Sequence, residues 1–461
     1  MCDWIDSELK TVDFGDKRLD ARFGNLLELL NKKPTESIPN ACKSWSETKG
    51  AYRFFDNENV SAEKILAPHY TATTERIKQE PIVLLVQDTT EIDYTKHPAT
   101  DGLGHIGKTK HTHRHGFFMH PTLAVTPSRV SLGFVDNINW IRTEQNKAVQ
   151  RKQLPISEKE SQRWLDSFSK TKELAKQIPE THFVNVADRE SDIYEYFMEY
   201  DKNIPNADLI VRAVQNRCLE DSDKKLWEKV RGEQHIATIE FELPRGRNNQ
   251  SRLVRQEIRA VEVTLVCPAR HAKKLPNIKL TAILATEISP PENVKPIEWL
   301  LLTTIKTNSK EEVLSITEYY LCRWQIEIFF NILKTGCQIE KVQLENYNRL
   351  TSCLALYMII AWRILHITMF NRVLKEVPCN EFFSDCEWKS MYTVYHKGKQ
   401  QLPVDVPSIY EMTRMIASFG GFLGRKHDKE PGVKSIWLGM QQMHVFALAY
   451  EAFNVQSKNS E

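Results

Sequence analysis

Residues 81–90 read PIVLLVQDTT, and residues 181–197 read THFVNVADRESDIYEYF. Each holds a short apolar run, rich in β-branched side chains, that stops at an aspartate: Asp88 in the first and Asp188 in the second. Runs of this length bounded by polar residues predict buried strands. In an α/β sheet the strand ends are where loops and ligands meet. Two carboxylates at neighbouring strand ends repel each other unless a cation lies between them. A pair of hard divalent ions with oxygen ligands resolves that repulsion and can also cleave a phosphodiester.

Working outward, HGFFMHPTLAVT and VSLGFVDNINW form two more strands, spaced for an antiparallel meander. Residues 157–177 predict an amphipathic helix that starts at Ser157. Beyond Asp188 come a helix (SDIYEYFMEY) and a strand (ADLIVRAV). Three strands, helix, strand, helix, strand is the order of an RNase-H-like mixed α/β core. Residues 215–300 break this pattern with alternating runs and turn-rich stretches such as PRGRNNQSR, which predict a β-rich insertion.

Residues 1–65 carry helical spacing and no strand signal, with Ser61 as the N-cap of the next helix. After about 370 the chain turns helical again, through the glycine-rich basic turn FGGFLGRKHDKEPG and the apolar SIWLGMQQMHVFALAYEAF. The expected organisation is a helical module over 1–65, an α/β catalytic region over 66–370 that includes the insertion, and a helical domain over 371–461.

The 461 residues carry a net charge of +2, so nucleic-acid binding has to rest on local basic patches. The nine cysteines show no zinc spacing and read as reduced thiols of a cytoplasmic protein. The N-terminus has no apolar signal segment, and the apolar run at 353–369 reads as a buried helix, so no membrane span is expected.

A third acid lies in YLCRWQIEIFFNILK, residues 320–334. On one continuous helix, Tyr320, Arg323, Glu327, Asn331 and Lys334 fall within an arc of roughly 80°. Most other positions are apolar, Gln325 excepted, so the helix should be buried and its polar stripe should line a charged site. Arg323 and Glu327 also suit an i,i+4 ion pair. In the histidine cluster His105, His111, His113, His115 and His120, the H-x-H-x-H set in GKTKHTHRHG reads as a flexible basic loop near DNA rather than a transition-metal site.

The spacing Y-x2-R-x3-E-x6-K, with DTT after the first strand and DRESDIY after the fourth, resembles DDE transposases of the bacterial insertion-sequence-four family, the Tn-five (insertion-sequence-fifty) type most of all. Gly15–Arg18, Gly50–Phe54, Glu158–Ser161, Trp299–Leu302, Lys334–Gly336, Gly420–Phe422 and Trp437 extend the likeness in order along the chain. Gln325 and Ile328 depart from it, standing where relatives carry charge, and Asp16 and Asp20 dilute the basic N-terminal helix.

The resemblance implies a cut-and-paste DNA transposase. Asp88, Asp188 and Glu327 would be the catalytic triad, binding two magnesium or manganese ions. Tyr320, Arg323 and Lys334 would grip phosphates at the cleaved end. Trp299 would stack a flipped base, Arg212 would reach DNA, and Arg18, Arg22 and Arg53 would contact the terminal inverted repeat. Hairpin formation and opening, then strand transfer into target DNA, would follow in a homodimer. An RNase-H-like nuclease without strand transfer and a catalytically silent DNA-binding repressor are the alternatives.

Overall fold

The computed structural model describes residues 3–109, 112–142, 154–243, 252–269 and 275–458. Eleven strands follow one another among these residues: β1 (Ile82–Gln87), β2 (Thr90–Asp93), β3 (Gly104–Lys108), β4 (His113–Val125), β5 (Ser131–Trp140), β6 (His182–Ala187), β7 (Ala207–Arg212), β8 (Ala237–Leu243), β9 (Arg252–Leu265), β10 (Ile278–Glu287) and β11 (Glu298–Thr303). The chain divides into two compact units. One comprises Lys78–Asp88 and Asn146–Trp324; the other comprises Met1–Ile77, Thr89–Gln145 and Gln325–Glu461.

The first unit is built on a sheet with the order β1-β6-β7-β11-β10-β9-β8. β1, β6 and β7 are parallel. Their sequences are near-continuous apolar runs because interior parallel strands are covered on both faces. Val83–Val86 and Phe183–Ala187 are buried throughout. Asn185 is tolerated among them because Thr171 donates to its carbonyl oxygen at 2.8 Å. β11 returns antiparallel to β7, and β10, β9 and β8 continue as an antiparallel meander. The β-rich insertion thus extends the same sheet. This is an RNase-H-like mixed core, with helices beside the sheet.

The helix Gln162–Gln177 precedes β6 and buries Trp164, Leu165, Phe168 and Leu174. It begins five residues later than its sequence suggests. Residues Ile156–Glu158 form only a short 3-10 turn. The apolar stripe that holds the helix against the sheet starts at Trp164, so nothing anchors an earlier turn.

In the second unit β4 pairs with β2, β3 and β5. The helix Tyr347–Val373 runs through its core. It is long and apolar enough to cross a membrane, yet 89% of its most apolar window is buried inside the protein, as expected of a core helix. Truncating one of its buried leucines, such as Leu354, to alanine costs about 2–5 kcal/mol.

The N-terminal helices Lys17–Lys32 and Trp45–Phe55 pack around Phe14, Phe23 and Phe54, whose ring centroids lie 5.4–6.0 Å apart. Ser61 caps the next helix, Ala62–Ile77, as read from sequence, accepting from the Lys64 N–H. Near the C-terminus the helices Ile409–Phe419 and Val433–Lys458 touch backbone to backbone. A Cβ at Gly420 would stand 1.8 Å from the Ser435 carbonyl oxygen, and one at Gly439 would stand 1.8 Å from that of Ile416. Glycine at 420 is therefore a packing requirement.

Among the described residues, the histidines expected in a loop lie on strands. His105, His113 and His115 lie on the paired strands β3 and β4, with His105 opposite His115 and a register shift between His105 and Gly107. His120 is fully buried and bonds Thr89 through Nδ1 at 3.0 Å. From Gly116 onward β4 is buried without interruption, and its more exposed start, His113–His115, pairs with β3. His111 lies outside the described residues.

Candidate active site

The ends of three parallel strands build the site of the first unit. Gln87 on β1 pairs with Ala187 on β6, and Ala187 pairs with Val211 on β7. Asp88, Asp188 and Arg212 are each the next residue, so they stand at one level on three adjacent strands. Neighbouring strands are about 4.8 Å apart, which places two acids and a guanidinium within ion-pair reach by backbone geometry alone.

The side chains use that proximity. Arg323 Nη1 lies 2.9 Å from Asp88 Oδ2, and Arg212 Nη1 lies 3.8 Å from Asp188 Oδ1. Arg189, which no motif marks as a site residue, brings Nε to 4.0 Å from Asp188 Oδ2. Asp188 does not cap the 3-10 turn Arg189–Ser191 with its side chain. Its Oδ1 is buried and accepts no hydrogen bond. The turn is held by backbone and hydroxyl groups instead: the Ser191 N–H and Oγ–H both donate to the Asp188 carbonyl oxygen.

The structural acid of the DRESD segment is Asp192. It accepts the N–H groups of Val214 and Gln215 at 2.7 Å each and is paired with Arg217. The sequence marks Asp188 by its place at the end of the apolar run; the loop after β7, which delivers those N–H groups, shows that Asp192 is structural.

Tyr320 and Arg323 are buried, at 6% and 7% exposure. Burial pushes the Tyr320 phenol above its ordinary range, against the opposing pull of Arg323 and Arg212, so it keeps its proton and can donate. Its ring centroid is 5.5 Å from that of Trp299. Trp299 itself is 7% exposed and also packs on Phe241 at 5.8 Å. In this structure it is a core tryptophan at the edge of the site.

The continuous helix expected over 320–334 is interrupted. One helix, Lys310–Leu321, ends at Cys322, where the Arg323 N–H bonds the carbonyl three residues back, at Tyr320. A second spans Trp324–Asn331, followed by a π turn, Ile332–Gly336. The five polar residues therefore do not share one regular stripe. Trp324 is half exposed, Asn331 is exposed, and Gln325 is buried. The reversal at 324 and 325 follows from the break, which resets the helical phase.

Between Trp324 and Gln325 the chain also passes from one unit to the other. Glu327, half-buried, and Lys334 thus belong to the second unit. Lys334 Nζ donates to the Glu91 carbonyl oxygen and lies 3.6 Å from Glu340. The residues after Asp88 are held in the same place by Arg114, which reaches Glu91 at 2.7 Å and Asp93 at 3.0 Å.

Among the described residues no three His, Cys, Asp or Glu side chains are gathered as an ion site. Asp88 and Asp188 nonetheless fit a hard divalent ion. Both are oxygen donors at one strand level, and the buried Asp188 Oδ1 lacks a hydrogen bond.

The three basic residues expected to meet DNA in the N-terminal module are all exposed. Arg18 pairs with Asp16 at 2.9 Å, and Arg22 donates to the Gly50 carbonyl oxygen at 3.2 Å. Asp20, which dilutes the charge of this helix, accepts the Phe14 N–H at 2.9 Å and so fixes the preceding loop.

Three family models match the chain. A transposase DNA-binding model covers residues 1–60, a transposase DDE domain covers 151–363, and a Tn5 transposase dimerisation domain covers 359–457. The DDE match contains Asp188, Arg212, Trp299, Tyr320, Arg323, Glu327 and Lys334; Asp88 lies outside all three spans. Together the matches support a Tn5-like DDE transposase that binds DNA, forms dimers and depends on a divalent metal. A solved structure titled as a piggyBac transposase synaptic complex with hairpin DNA is similar at 9% identity and a TM-score of 0.38, over 94% of this chain and 80% of that one.

Proposed function

We propose that this chain is a cut-and-paste DNA transposase of the insertion-sequence-four type, with Tyr320, Arg323, Glu327 and Lys334 as its signature. The observation that carries the reading is the level placement of Asp88 and Asp188 at the ends of paired parallel strands, with Arg323 and Arg212 beside them.

Asp88, Asp188 and Glu327 would hold two magnesium or manganese ions. Such a pair activates the attacking oxygen and stabilises the leaving one. The rest falls to the chain's own groups. Tyr320, kept protonated by burial, donates to a phosphate oxygen. Arg323 and Lys334 add charge-assisted hydrogen bonds that fix the backbone of the cut strand. Arg212, level with Asp188, reaches the adjoining phosphate. Trp299 offers its ring to a displaced base once the site opens around Tyr320.

Arg18, Arg22 and Arg53, exposed on the N-terminal helices, contact the terminal repeat. On the last helix Val445 and Leu448 are 59% and 40% exposed, an apolar face suited to pairing two copies. The module of residues 1–65 binds the end, 66–370 cuts and joins, and 371–461 pairs the protomers, in the bacterial cytoplasm. After the first nick the freed 3′-hydroxyl attacks the opposite strand to give a hairpin, which is opened before strand transfer into target DNA.

The experiment takes the DNA flanking the gene as the source of terminal repeats. Purified protein, Mg²⁺ and a labelled end should yield nicks, hairpins and, with a target plasmid, joined products. Nicking without joining of pre-cut ends would reduce the protein to a nuclease. End binding without nicking would make it a repressor.

A further inference from the structure

The two strand-end carboxylates are not equally occupied. Asp88 Oδ2 accepts a hydrogen bond from Arg323 at 2.9 Å, and the Arg323 side chain is only 8% exposed. Asp188 meets its two guanidinium neighbours at 3.8 and 4.0 Å, and its buried Oδ1 takes no hydrogen bond. A buried guanidinium needs a carboxylate as much as a buried carboxylate needs a cation. Arg323 therefore satisfies Asp88 with the charge that a divalent ion would otherwise bring, through an oxygen that the ion would use.

We infer that Arg323 is a positioning residue that stands in for a metal ion at Asp88 in the DNA-free protein, so that ion loading and phosphate gripping are one coupled exchange. A phosphate near Tyr320 draws the guanidinium off Asp88, and the vacated oxygen then takes the ion. Ion binding, conversely, releases Arg323 toward phosphate. The coupling is reciprocal by thermodynamic necessity: whatever factor DNA adds to ion affinity, the ion adds to DNA affinity. Arg212, 3.8 Å from Asp188, does this only weakly. The inference rests on Asp88 and Asp188 being ion-binding carboxylates.

The test measures Mn²⁺ binding to the full chain by electron paramagnetic resonance, with and without a duplex carrying the DNA end that flanks the gene. In the unaltered protein the duplex should tighten Mn²⁺ binding by about tenfold, within the usual range of roughly 5–150-fold for site coupling. R323Q should raise Mn²⁺ affinity of the DNA-free protein by about the same factor and bring the coupling close to unity. R323K, which keeps a positive charge, should restore part of it.

Mn²⁺ affinity unchanged or weakened in R323Q, while D88N and D188N abolish binding, would overturn the stand-in role and leave the ion site intact. Mn²⁺ binding indifferent to D88N and D188N would remove the ion site itself. The coupling in the unaltered chain needs no variant, so an R323Q that fails to fold leaves the inference exposed to refutation.

Discussion

Two sets of charged groups in this molecule invite comparison: the strand-end carboxylates of the α/β unit and the Glu8 cluster of the helical unit. Glu8 sits at the end of the first helix, Asp3–Glu8, and is 4% exposed. Arg76 grips it at 2.9 and 3.1 Å, and His69 Nδ1 meets its Oε1. The Phe134 N–H donates to His69 Nε2 at 3.0 Å, which obliges the proton to sit on Nδ1, facing Glu8. Arg76 also donates to the Leu132 carbonyl oxygen and lies over the Trp362 ring at 4.4 Å. Every group there has its partner at hydrogen-bond distance, and the cluster ties the N-terminal helix to the strand β5 region.

At the strand ends, by contrast, Asp188 is half answered, with an orphan oxygen and two guanidinium groups just out of hydrogen-bond range. Burial with full satisfaction marks an architectural charge. Partial satisfaction at a strand end marks one kept for a ligand.

The sharpest way to break this contrast is to remove the acids from each side. Asp88→Ala should lower end cleavage on the order of a thousandfold or more. It should also lower the melting temperature, because it leaves the buried Arg323 without the carboxylate at 2.9 Å. Replacing Asp188 or Glu327 with alanine should lose cleavage to the same extent while leaving the melting temperature nearly unchanged. Glu8→Gln should do the reverse. It should cost about 3 kcal/mol, the low end for breaking a buried pair, because Arg76 keeps some solvent. Chemical denaturation and the same cleavage assay on folded protein measure both.

The pH dependence sharpens the point further. His69 and Arg76 hold the Glu8 carboxyl at about 2, although burial alone would raise it above its usual 4.5. A carboxyl depressed in the folded state stabilises the protein fully above its unfolded value. That contribution drains away as pH falls from about 4.5 toward 2. Stability should decline over this window in the unaltered protein, and the slope should flatten in Glu8→Gln.

The smallest effects belong to the exposed arginines of the N-terminal module. Arg18→Ala, Arg22→Ala or Arg53→Ala should each weaken end binding modestly and lower the slope of log affinity against log salt by about one for each phosphate left without its arginine. Fluorescence anisotropy across a salt series reads this out; an unchanged slope would assign the residue to the ordinary solvated surface.

The strands are legible in the sequence because apolar runs ending in Asp88 and Asp188 obey a local rule, and their parallel pairing puts both acids at one level. The cap at Ser61 and the buried helix within 347–373 follow from equally local signals. The break at Cys322–Arg323 is not legible. Its residues include no glycine or proline to mark a stop, and the reset depends on packing that no spacing encodes. His115 and His120 fall on a strand legible as HGFFMHPTLAVT, whereas β3, GHIGK, and the start of β4 hold too few apolar residues to mark a strand. The Glu8, His69 and Arg76 cluster joins positions more than sixty residues apart, and the division of roles between Asp188 and Asp192 depends on N–H groups from Val214 and Gln215. The first leaves no trace in the order of the residues, and the second leaves only the strand-end position of Asp188.

Asp88, Asp188 and Glu327 are proposed to bind shared divalent ions. Fe²⁺ substituted for Mg²⁺, with ascorbate and peroxide, generates hydroxyl radicals that cut the polypeptide within a few ångströms of the bound ion. With the DNA end present, mass spectrometry should find cuts clustered beside all three residues, and excess Mg²⁺ should suppress them. Cuts near only one of the three, or scattered without regard to Mg²⁺, would rule out a shared ion site.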